Sequence, residues 1–79
     1  MKNEIAIQVR TFPVTIRDQR TGERKDDLLT LDKRQLQAAQ LVGQSSKELI
    51  HRIYNRQGFY VLNVGKPIKR EIHVDLASV

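Results

Sequence analysis

His51 and His73 are the only imidazoles in the chain, and cysteine is absent. Nucleophilic catalysis needs a nucleophile, a base and a group that orients the base, and neither histidine stands in a motif that gathers them. The acids fall in pairs, Asp18 with Glu23 and Asp26 with Asp27, inside a polar stretch that reads as a hairpin tip. There they are water-facing acids rather than a general acid and base or a cation site. No H-x-x-x-H or D-x-D-x-D-G spacing occurs, and Gly22, Gly43, Gly58 and Gly65 stand singly, which leaves no glycine loop to cradle a phosphate. The expectation is a non-enzyme with no catalytic residues, no metal and no cofactor.

What remains is positive charge. Lys and Arg number 14 against 9 Asp and Glu, a net +5 that attracts polyanions. Residues 32–58 hold five basic and two acidic side chains, a larger excess than either flanking third carries. Within them Leu49, Ile50, Ile53 and Tyr54 share one arc at 100 degrees per residue, so Lys47, His51, Arg52, Asn55 and Arg56 turn outward, with Glu48 on the same side. A solvated helix surface would carry the same charges.

The elements that position these residues are legible from periodicity. Ile5, Ile7 and Val9 alternate with polar or small residues, as do Phe12, Val14 and Ile16, so residues 5–16 read as strand. The apolar parity switches between the two runs, which predicts a bulge or break near residues 10–13, and Pro13 favours an edge. Residues 18–27 are polar with one glycine and return into a strand at 28–31, a β-hairpin. Asp32 with Gln35 makes a capping box for a helix over 33–42 that ends at Gly43, and Ser45 with Glu48 makes a second for a helix over 46–57 that ends at Gly58. Leu36, Val42, Leu49 and Ile53 are the expected core of this helical pair. Residues 59–64 are β-branched and aromatic, and Gly65-Lys66-Pro67 reads as a turn into a strand in which Ile68, Ile72, Val74 and Leu76 share parity, so that face is expected to be buried and Lys69, Glu71, His73 and Asp75 to face water. That predicts a C-terminal hairpin over 59–76. Phe59 and Tyr60 could stack on bases, although core packing is the more economical use of so few aromatics.

At 79 residues there is room for one core, so the chain is expected to be a single α+β domain: N-terminal β-hairpin (1–31), helical hairpin (32–58) and C-terminal β-hairpin (59–79). Without disulfides it must rely on packing or self-association. No signal-peptide pattern opens the sequence and its apolar runs are only a few residues long, so a cytoplasmic protein without a membrane partner is expected.

Residues 37–53 combine a small residue at Ala39, a turn glycine at Gly43 and a second helix that packs back through Leu49 and Ile53. With Ala38, Val42 and Ser45, these positions resemble the winged helix-turn-helix DNA-binding domains of the phage excisionase and MerR type over residues 32–76. Gln44 stands where such turns usually carry an apolar plug. The resemblance implies a phage or mobile-element protein that binds double-stranded DNA. It implies groove and phosphate contacts from Lys47, His51, Arg52, Asn55 and Arg56, and a basic wing at Lys66, Lys69 and Arg70. The competing expectation is an assembly module that pairs its strand edges with a second copy or another protein.

Overall fold

The structure, a computed structural model, describes residues 4–75. The expected position of Leu76 in the last strand lies outside them. Six elements follow in order: β1 (Glu4–Asp18), β2 (Arg24–Asp32), α1 (Lys33–Leu41), α2 (Ser46–Arg56), β3 (Phe59–Val64) and β4 (Ile68–Asp75). The fold is α+β, with a four-stranded antiparallel sheet and two helices.

β1 and β2 form the expected hairpin, in register from Val9–Asp32 to Arg17–Arg24. Its tip is held by Asp18, whose Oδ1 accepts the backbone N–H groups of Arg20 and Thr21 at 2.7 and 3.1 Å, while Gly22 takes a φ of 76°. Those two donors hold the Asp18 carboxyl below its usual range.

The C-terminal half departs from expectation. β3 and β4 do not pair with each other: β3 lies along Val14–Asp18 of β1 and β4 along Glu4–Thr11, both antiparallel to it. They share the β1 edge opposite β2, end to end, so the expected C-terminal hairpin is one long strand interrupted at Gly65-Lys66-Pro67. Pro13 accounts for the interruption. It sits in the central strand rather than at an edge, and a proline there has no N–H to give its neighbour. The missing donor falls at the gap between β3 and β4, where the Pro13 carbonyl accepts instead from Gly65 N–H at 2.7 Å. The irregularity expected near residues 10–13 is therefore on the strand facing Pro13, and β1 pairs with β2 without a break.

This approach leaves no room at Gly65, where a Cβ would stand 2.7 Å from Pro13 Cγ and 3.3 Å from its carbonyl oxygen. Gly65→Ala is expected to destabilise by about 1–3 kcal/mol through overpacking. Pro13→Ala in the same chain should recover most of the loss by removing the ring; equal melting temperatures for the single and double variants would contradict this contact.

Directly paired residues share a sheet face. One face carries Phe12, Val14, Ile16, Leu29, Leu31, Phe59, Val61 and Val64, and both helices cover it with Leu36, Ala39, Leu49, Ile50, Ile53 and Tyr54. The parity switch in β1 means that Ile5 and Ile7 lie on the other face, which no helix covers. Ile68 and Ile72 of β4, expected on a buried face, are paired onto this same side and are exposed instead. Val42, expected in the core, is 74% exposed. α1 stops at Leu41, and the chain turns away at Gly43 (φ 72°) before Val42 reaches the sheet.

Candidate nucleic-acid interface

α2 starts at Ser45, whose hydroxyl accepts the Glu48 N–H at 3.2 Å and donates to Glu48 Oε1 at 3.2 Å. The Glu48 side chain thus returns to the cap hydroxyl rather than to the backbone N–H of a full capping box, which α1 does have at Asp32 and Gln35. Leu49, Ile50 and Tyr54 are buried against the sheet, and the Tyr54 hydroxyl donates to Asp27 Oδ2 at 2.8 Å, tying α2 to β2. Burial and this carboxylate push the Tyr54 hydroxyl pKa well above its ordinary value.

With that arc used, the other side of α2 faces solvent. Lys47, His51, Arg52, Asn55 and Arg56 are all exposed and line one shallow, open surface together with Glu48. These five expected site residues are therefore brought together.

The three expected wing residues are not. Without a β3–β4 hairpin there is no wing loop. Lys66 lies in the gap between the strands, and Lys69 and Arg70, adjacent on β4, point to opposite faces of the sheet. Lys69 is directly opposite Arg10 on the helix-bearing side, where both join Lys33, Gln37 and Gln40 of α1 in a second cleft. Arg70 is opposite Val9 on the uncovered face. Arg10 and Lys33 were missed because only tertiary pairing brings them beside Lys69. The one local signal was Arg10's shared parity with Phe12. Two like charges directly opposite on a sheet repel, so this cleft favours an anion. On that face of the sheet Glu71, paired with Gln8, is the nearest acid in register.

Comparison with protein families, curated proteins and solved structures returns no match. Among the described residues no group of three or more His, Cys, Asp or Glu side chains gathers, and no helix is long and apolar enough to cross a membrane.

The turn between the helices contains one further oddity. Gln44 N–H donates to Ala39 O at 2.8 Å, but its side-chain Oε1 is buried without a hydrogen-bond partner among the described residues. An unpaired buried acceptor costs about 1–3 kcal/mol. Gln44→Leu, similar in volume, is expected to raise stability by about 1 kcal/mol, read as a melting temperature higher by roughly 4–8 °C. A lower melting temperature would mean that the amide has a favourable role in the turn.

Proposed function

We propose that the chain binds double-stranded DNA through the outward face of α2, without a wing. The observation that carries this reading is the division of α2 into two arcs. Leu49, Ile50 and Tyr54 hold one arc on the sheet, and the other presents three cations, a histidine and an asparagine to solvent. Eleven residues of helix span about 16 Å, and the major groove of B-DNA, about 12 Å wide, admits a helix. Lys47, Arg52 and Arg56 supply phosphate attraction, and Asn55 or Arg52 can reach base edges. Glu48 opposes a phosphate-lined groove least when its carboxylate is engaged with Ser45, as it is here. Arg10, Lys33 and Lys69 lie on the same side of the sheet as the helices and offer a second phosphate contact.

The test is titration of the full chain into labelled duplex DNA at two salt concentrations. Affinity should fall steeply as salt rises, because each neutralised phosphate releases counterions. Absence of any salt-sensitive affinity at low ionic strength would overturn the reading.

A further inference from the structure

We propose that the uncovered face of the sheet is the contact surface for a second copy of this chain, packed sheet against sheet. This inference does not depend on the DNA-binding reading. The strand register places Ile5, Ile7, Leu28, Ile68 and Ile72 on that one face, each between 38 and 63% exposed. At about 200 Å² for a fully exposed residue of this size they offer on the order of 500 Å² of surface, comparable with the largest apolar patches on a monomer, in two groups, Ile5, Ile7 and Ile72 on one side of the row through Val9 and Ile68 and Leu28 on the other. A specific interface of standard size buries about 800 Å² per partner, and homodimer interfaces are roughly 65% apolar. The exposed apolar residues can supply the apolar part of such an interface.

The shape of the chain supports a covering partner. The radius of gyration is 15.0 Å and the long axis 51 Å, whereas a compact chain of this length would have a radius near about 12 Å. The excess is the ribbon in which the first residues of β1 pair with β4 alone, since β2 ends opposite Val9. A two-stranded ribbon is at best marginally stable in water, and this one carries Ile5 and Ile7 on a side that no helix covers.

Symmetry favours a second copy as the occupant. Val9 lies between Asp32 on β2 and Arg70 on β4 in one cross-strand row of this face. A twofold axis running along β1 exchanges the two edges of the sheet, so Asp32 of one copy lies over Arg70 of the other, and the reverse. Asp32 accepts the Gln35 N–H through Oδ1, which leaves Oδ2 for this contact. Face-to-face sheets pack about 10 Å apart with strands within about 30° of each other, which this operation permits.

The test is sedimentation of the full chain without DNA, at roughly 100 μM, a concentration that detects even weak dimers. The expected mass is twice 9.2 kDa. Ile7→Lys with Ile72→Lys, two exposed positions outside the core cluster, should raise the dissociation constant about a hundredfold or more while far-UV circular dichroism is retained. Leu28→Lys, 63% exposed, gives the same reading from the other end of the patch should the ribbon pair perturb folding. A monomeric wild-type chain would overturn the proposal. So would a dimer unaffected by either variant, which would point to pairing through strand edges instead.

Discussion

Replacing Ile50 with alanine is expected to cost about 2–5 kcal/mol, through lost transfer energy and the cavity left behind. Ile50 is 0% exposed and is among the largest fully buried side chains, at the centre of the arc by which α2 sits on the sheet. A chain of this size has a total margin of roughly 4–12 kcal/mol, so the substitution removes a large share of it. Its neighbour Ile53 lies on the same arc but is only half-buried, at the margin of the core. Ile53→Ala should therefore cost distinctly less. Urea denaturation of both variants, followed by circular dichroism at one fixed protein concentration, measures the difference. Equal losses would mean that α2 is rotated from the orientation described.

The second large effect is on DNA affinity. Arg52→Ala with Arg56→Ala should weaken duplex binding and reduce the slope of log affinity against log salt by about two units, one for each phosphate no longer neutralised. Both side chains are exposed and point away from the apolar arc, so helix content and melting should not change. Arg24→Ala, opposite Arg17 on the face of the sheet away from the helices, is the control and should leave the slope unaltered. If the Arg24 variant loses as much as the α2 pair, the attraction comes from net charge in general and α2 is not the interface.

The helices were legible because their signals are local. Asp32 and Ser45 cap within one turn, Gly43 and Gly58 supply positive φ at the ends, and the spacing of Leu49, Ile50, Ile53 and Tyr54 selects a face without reference to the rest of the chain. The outward direction of Lys47, His51, Arg52, Asn55 and Arg56 followed from the same arithmetic. Val42 was misplaced because helical period says which way a side chain points but not whether a partner surface extends that far.

Strand pairing is where sequence reasoning ran out. Gly65-Lys66-Pro67 has the composition of a hairpin turn, and it is equally the composition of a break in a long strand. The choice is made at a distance by β1, whose 15 residues are long enough to pair with β3 and β4 in succession, and by Pro13, which offers no N–H at the point where they meet. That choice removes the wing, sends Lys69 and Arg70 to opposite faces and joins Lys69 to Arg10 and Lys33. The sequence by itself thus determined the elements, their caps and the arc that α2 buries, because dihedral preference and side-chain period act within a few residues. Period alone did not say which apolar strand faces are covered: Ile5, Ile7, Ile68 and Ile72 stay exposed. Only the tertiary structure decided which strands are neighbours and which cations converge, because a backbone hydrogen bond between strands is set by whichever distant segment has a free donor or acceptor to meet it.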